Sequence, residues 1–426
     1  MPEHSAPPEI DILKLVQFYQ RTQRHAEDHG LSDGELAYLN RAMARYRSKP
    51  DDARYLAGTL VNTDMVDFDY VSAKITSQSQ LYAAFKATWS ENPLVARIRD
   101  CAVSLPLLKR HPEIQKEFAA SLEIRTLYWA PVFECLITDL HISIADDFVR
   151  LIAAWFVLVH ISGPADHWID KDPISVHWEE LGFLSGFNFI LQLKDQALHN
   201  ALSVQHPSHH EIRASAARAV LCLSNSAITV SLANSIDASG GIDLDLSKPG
   251  HFRAKAATYE RLVQWKSAEI YRVMFEAIAV YSACPVDKVD ALARFGQQVG
   301  MCIQLLDDVG GIWETGQDLQ KPVTKMSFPL AFVLNCESAN RPEIIEHLSR
   351  PADQRDVALL QHQFTAAGAR EFVSIFLEER RLRCASALTR VSEKMSTSLL
   401  DWFDDYFCGF RNDRPTSPNG QRVGAT

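Results

Sequence analysis

Cysteine pairs at metal spacing, phosphate-cradling glycine loops and clusters of basic residues are all missing from this 426-residue chain. Its eight cysteines are scattered with no CxxC pair, which leaves no zinc-like module and suits buried thiols of a reducing compartment. There is no Walker loop, Rossmann glycine pattern or nucleophile elbow. Lys and Arg number 43 against 53 Asp and Glu, and the net charge of −10 speaks against a broad nucleic-acid surface, because neutralising phosphates takes clustered cations. A local cationic pocket remains compatible with that charge. Long apolar runs are absent too. The strongest, "LIAAWFVLVHI" (151 to 161), is far below the roughly 18 residues of a membrane span and reads as a core helix. The first thirty residues lack the basic start and apolar stretch of a signal peptide, so a cytoplasmic protein with no transmembrane segment and no nucleic-acid partner is expected.

What the chain does have is helical periodicity. Apolar residues recur at steps of three and four, and 47% of residues are hydrophobic, ordinary for a globular protein. Breakers fall at "SGP" (162 to 164), "QHPSHH" (205 to 210), "ASGG" (238 to 241) and "SKPG" (247 to 250). Residues 1 to about 10 and the tail 412 to 426 are polar and rich in Pro or Gly, and are expected to be disordered. The three histidines of "QHPSHH", His206, His209 and His210, sit in a polar, proline-containing stretch and read as an exposed loop.

Two helices carry chemistry. In "RFGQQVGMCIQLLDD" (294 to 308) one stripe is apolar through Phe295, Val299, Cys302, Ile303 and Leu306, while Gly296, Gly300, Gln304 and Asp307 form the next. Two helical glycines cost about 1 kcal/mol each relative to alanine, which points to close approach by another helix or a ligand. Asp307 and Asp308 lie at the wrong end of the helix dipole for acids. A solvated helix end tolerates such a pair; a divalent cation would use it, since magnesium takes carboxylates together with substrate phosphates. In "TYERLVQWKSAEIYRVMFEAI" (258 to 278), Lys266 shares a face with Tyr259, Leu262, Val263, Ile270 and Val273. It is either a lysine that snorkels to water or an ammonium held in a cavity to meet a phosphate.

These segments resemble the trans-prenyl diphosphate synthases, the polyprenyl synthetase family. Gly296, Gly300, Gln304, Asp307 and Asp308 fall on the Gly, Gly, Gln, Asp, Asp positions of its second aspartate-rich helix. Asp318, Lys325 and Pro329 of "DLQKPVTKMSFP" match the segment that follows, and Lys266, Ser267 and Ala268 match its KTA motif, seven residues after Tyr259. "GGIDLDL" resembles the GQxxDL helix through Gly241, Asp245 and Leu246, with Ile242 for the glutamine. The likeness is strong over about 241 to 335 and weaker over about 122 to 240. It implies an all-α isoprenoid-synthase bundle over 121 to 411 around an apolar cavity, preceded by an N-terminal helical extension over 1 to 120. It also implies Mg2+ as cofactor, an allylic prenyl diphosphate as substrate and a homodimer.

The departures matter as much. Gly311 occupies the last acidic position of the second DDxxD, and Thr315 stands where a terpene-cyclase glutamate would be, leaving Glu314 as a substitute ligand. "LVHISGPADHWIDKD" (158 to 172) resembles the first aspartate motif only with one residue deleted, when Asp166, His167 and Asp170 take DDxxD positions, with His160 resembling a conserved histidine upstream. If Gly163-Pro164 begins a helix, these acids merely complement its dipole. The family's GKRxRP falls on "TLYWAP" (126 to 131), retaining only Pro131, and no Arg-Arg-Gly follows the first motif. Without those cations a second diphosphate is costly to hold.

The favoured reading is therefore an enzyme ionising one allylic diphosphate, whose cation then cyclises, meets water or alkylates a non-isopentenyl acceptor. Asp307, Asp308, Asp166, Asp170 and Glu314 are its expected metal ligands, and Lys266, Lys325, Gln304 and His160 are expected to bind substrate. A chain-elongating synthase using isopentenyl diphosphate and a non-catalytic subunit of a heteromeric synthase are the alternatives.

Overall fold

The computed structural model describes residues 12–25, 85–170, 174–203 and 210–408. The segments expected to be disordered, 1 to about 10 and 412 to 426, lie outside it, as do His206, His209 and the side chain of His210. Among the described residues the chain is helical throughout, with no strand beyond an isolated bridge between Asp243 and Lys325. The principal helices are α1 (Ile12–His25), α2 (Pro112–Asp139), α3 (Asp146–Asp170), α4 (Phe183–Leu202), α5 (His210–Ala238) and α6 (Phe252–Val263). They continue with α7 (Glu269–Tyr281), α8 (Val286–Val309), α9 (Phe328–Asn335), α10 (Ala369–Ala387) and α11 (Glu393–Cys408).

Helix α7 is the hub, packed between α5 and α8, with α3 also against α5 and α10 covering α8. The two glycines of α8 make this possible. A Cβ on Gly300 would stand 2.4 Å from the Ala268 Cα, and one on Gly296 would stand 2.6 Å from the Tyr271 carbonyl oxygen. The close approach that the glycines announce is therefore helix on helix, not helix on ligand. Gly300→Ala is expected to cost about 1–3 kcal/mol by overpacking, measurable in thermal unfolding, because the atom it meets is backbone and cannot rotate away.

"SGP" does not break the chain. Pro164 lies inside α3, so Asp166 and Asp170 are in the last turns of a long helix rather than the first turn of a new one. The dipole explanation for those acids is thereby lost, since carboxylates near a helix C-terminus are disfavoured. The stretch 146–168 is long and apolar enough to cross a membrane by length and composition, but 78% of its most apolar window is buried inside the bundle. At the other end of the chain, α1 docks on α6, α9 and α10, where the Ile12 N–H donates to Glu260 Oε2 at 3.0 Å.

Candidate active site

Among the described residues two π turns interrupt the helices, and residues of both line one cavity. A π turn, Gln264–Ala268, interrupts the junction of α6 and α7 and carries Lys266; a second, Gly310–Glu314, follows Asp308 at the end of α8. Such bulges widen a helix by one residue and re-aim side chains, and they concentrate at functional sites. The cavity between them holds about 730 Å3. Asp166, Asp237, Asp307, Glu314 and Asp318 line it together with Lys266, Lys321 and Lys325. The remaining wall is apolar, with Trp129, Trp155, Phe156, Tyr271, Ile303 and Leu306. Trp129 stacks on Tyr271 with centroids 5.4 Å apart, and Trp155 meets both rings edge-on.

The adjacent aspartates have different surroundings. Asp307 lines the cavity and is itself exposed, while desolvation by the surrounding wall, with the nearby charge of Asp318, raises its carboxyl above the usual range. Asp308 is fully enclosed. Its oxygens accept from the Phe328 N–H at 2.7 Å, the Gln304 amide at 2.9 Å and the Tyr259 hydroxyl, 2.7 Å from each. Burial pushes its pKa up to about 8 against those bonds. Asp308 also borders the cavity, but a carboxylate so fully engaged has little capacity left for a metal, and its bonds tie α6, α8 and the start of α9 together. Gln304 spans the two roles, reaching Asp307 at 3.3 Å while accepting from the Ser267 hydroxyl.

Gly311 vacates the last acidic position of the second motif, and another carboxylate fills the space. A Cβ on Gly311 would lie 2.0 Å from Asp318 Oδ2. Asp318, on the short Gln317–Gln320 helical turn, is itself paired to Lys321 at 3.1 Å. Glu314, expected as the substitute, also lines the cavity.

Both lysines singled out in the sequence reach the site already engaged. Lys266 Nζ meets Asp166 Oδ1 at 3.0 Å and Asp237 Oδ2 at 2.9 Å; Lys325 Nζ meets Asp237 Oδ1 at 3.2 Å. Desolvation lowers the Lys266 pKa, and the two carboxylates more than reverse it, leaving the ammonium firmly protonated. Asp170 ends α3, and its side chain lies outside the described residues. Asp237 was missed in the sequence. It occurs in "ANSID" (233 to 237), which has the G-Q-x-x-D spacing with Ala and Asn for Gly and Gln. Asp245, matched to that motif eight residues later, is instead beyond the helix end and paired to Lys248 at 2.6 Å. A usable signal existed: Asp237 is the first charge after Arg218 along α5, again at a helix C-terminus. Arg125, one residue before the degenerate "TLYWAP", was missed too. It lines the cavity, and its buried Nη1 has no hydrogen-bond partner.

His160 does not line the cavity. It is buried against Phe118, ring centroids 4.4 Å apart, with Trp178 beyond at 6.4 Å, so it serves packing rather than substrate binding. Desolvation, helped by the Arg125 charge, lowers its pKa to about 3. Between that value and the roughly 6.5 of an unfolded histidine, the unfolded state binds the extra proton, so stability is lost as pH falls through this window. The slope contributed is up to about 1.4 kcal/mol per pH unit. His160→Leu is expected to flatten the acid limb of a Tm-against-pH curve below pH 6.5.

The polyprenyl synthetase family model matches residues 199–364. That stretch is polyprenyl synthetase-like. It contains Asp237, Lys266, Asp307, Asp308, Asp318 and Lys325, while Asp166 precedes it. No curated protein matches the chain. Solved structures do. Geranylgeranyl pyrophosphate synthetase from Pyrococcus horikoshii Ot3 superposes with a TM-score of 0.58 at 13% identity, over 78% of this chain and 98% of that one. A polyprenyl synthase from Caulobacter crescentus CB15, complexed with calcium and isoprenyl diphosphate, gives 0.52 at 17% identity, over 80% and 97%. Heptaprenyl diphosphate synthase from Staphylococcus aureus gives 0.54 at 13%, over 75% and 96%. At these identities the likeness is one of fold, and the fold is the all-α isoprenoid-synthase bundle expected from the sequence.

Proposed function

We propose that the chain is a magnesium-dependent enzyme that ionises a single allylic prenyl diphosphate. The observation carrying this reading is that acids and lysines share one cavity with an aromatic wall. Among the described residues no three carboxylate, imidazole or thiol groups converge closely enough to hold an ion alone. That donor set fits magnesium, which uses one or two carboxylates and takes its other ligands from phosphates and water. Asp307, with Asp318, Glu314 or Asp166 as the second carboxylate, would hold it, and bound there it would neutralise the leaving diphosphate. The calcium and isoprenyl diphosphate in the Caulobacter enzyme are in keeping with this reading.

Heterolysis of the allylic C–O bond sends its electron pair to the diphosphate and leaves a delocalised cation on the hydrocarbon. Lys266 and Lys325 donate to diphosphate oxygens as point charges. Gln304 steadies Asp307. Trp129, Trp155 and Tyr271 line the wall with aromatic rings and keep water from the cation until it cyclises, is captured or alkylates an acceptor. The volume is within the range of about 300–1,000 Å3 in which pockets take one small ligand.

Chain elongation is the second reading, and Arg125 favours it, as one cation on the same cavity able to meet a second diphosphate. Incubation with geranyl, farnesyl and geranylgeranyl diphosphates, with and without isopentenyl diphosphate, separates the two. Diphosphate released without isopentenyl diphosphate supports ionisation of one substrate, whereas longer diphosphates formed only with it support elongation. Silence in every mixture overturns both and leaves a non-catalytic subunit.

The homodimer is part of the same reading. Leu221, Ile228 and Leu232 are 58 to 61% exposed on one stripe of α5, whose residues 219 to 236 carry no charge. So wide an apolar helix face suits an interface with a second copy. Leu221→Asp with Leu232→Asp is expected to convert a dimer to monomers in sedimentation velocity.

A further inference from the structure

Asp237 has a place in the site that ligand binding alone does not explain. It is 4% exposed, at the end of α5, and each of its oxygens meets a different lysine. Those lysines come from separate elements, Lys266 from the π turn before α7 and Lys325 from the segment before α9. Nothing in the local sequence holds two ammonium groups together, and without an anion between them they repel. Asp166 is a second carboxylate on Lys266, at 3.0 Å. An incoming anion must compete with a carboxylate already at contact distance and tethered there by the fold.

We infer that Asp237 is a positioning residue, a built-in stand-in for diphosphate that holds Lys266 and Lys325 in register and bars diphosphate arriving without a divalent cation. The inference rests on the reading of the cavity as a diphosphate site. Its consequence is a paradoxical variant: removing a carboxylate should create anion affinity that the native protein lacks. Asp237→Asn is the variant of choice, since it keeps the shape and leaves a carbonyl oxygen for one lysine while releasing both positive charges. A residue of merely structural importance would show no such gain.

The test is calorimetric titration of the full-length protein with inorganic pyrophosphate, in EDTA and again in magnesium. The native protein is expected to bind only in magnesium. Asp237→Asn should bind in EDTA at least about tenfold more tightly than the native protein, Asp237→Glu should restore the refusal, and Asp166→Asn, which removes the second counter-ion, should show a smaller gain. Native binding in EDTA equal to that of Asp237→Asn overturns the inference and leaves the functional reading standing. Asn variants at 237 and 166 that bind in magnesium without any gain in EDTA do the same. If no protein binds pyrophosphate even in magnesium, the diphosphate reading falls and the inference falls with it.

Discussion

Asp307→Asn is expected to slow diphosphate release by at least about a hundredfold while leaving the melting temperature within a degree or two of native. Removing one electrostatic group aimed at developing charge commonly costs a factor of about 10² to 10³. The charge of Asp307 is directed into the cavity, and its one hydrogen bond here, from Gln304 at 3.3 Å, is weak. The neighbouring residue should behave in the opposite way. Asp308→Ala strands the Phe328 N–H and the Tyr259 hydroxyl, which now donate to Asp308 in a buried setting, and removes one acceptor from the Gln304 amide. An orphaned buried donor costs about 1–3 kcal/mol, so the alanine variant should unfold many degrees early. Diphosphate-release kinetics and thermal unfolding of the two variants, measured side by side, decide the matter. Equal stability losses would merge the two roles, and an Asp307→Asn enzyme of native rate would remove metal chemistry from this end of the cavity.

The adjacent pair was legible as a pair because two carboxylates at the negative end of a helix dipole are visible in sequence. Which of them is tied down by hydrogen bonds was not. That depends on Tyr259 and Phe328, contributed by α6 and α9, and no spacing rule links those positions to α8. Lys266 was legible for the same reason as the acids, a charge on an otherwise apolar face. The π turn that aims it leaves no sequence mark, since it inserts one residue into a helix without glycine or proline. Pro164 misled because a proline in sequence signals a helix start more often than a passage through a buried helix, and only packing of α3 against α4 and α5 shows which applies. His160 misled by position: on the expected helix, at the expected place, its ring is nevertheless directed toward Phe118. Asp318 was recognised as a match to the family's segment, but that its carboxylate fills the vacancy at Gly311 is a fact of three dimensions.

That vacancy carries the second large prediction. Restoring the full motif with Gly311→Asp should impair the protein rather than improve it. The new Cβ would stand 2.0 Å from Asp318 Oδ2, so the Asp318 side chain must leave its place and loosen its pairing with Lys321, 3.1 Å away. Displacing a side-chain end costs less than meeting backbone would, so the damage comes mainly from repulsion between two carboxylates forced into the space of one. Removing the occupant should undo the damage: Gly311→Asp with Asp318→Gly leaves one carboxylate in the same space, now supplied from α8's continuation instead of the following turn. The double variant is expected to recover most of the stability lost by Gly311→Asp and more diphosphate release than either single variant. A coupling energy of about 0.5–3 kcal/mol in a double-mutant cycle is the quantitative form of that recovery. Additive effects of the two substitutions, or a Gly311→Asp protein as stable and active as the native one, would mean that Asp318 does not take the missing aspartate's place, and the metal would have to be held by Asp307 and Glu314 without it.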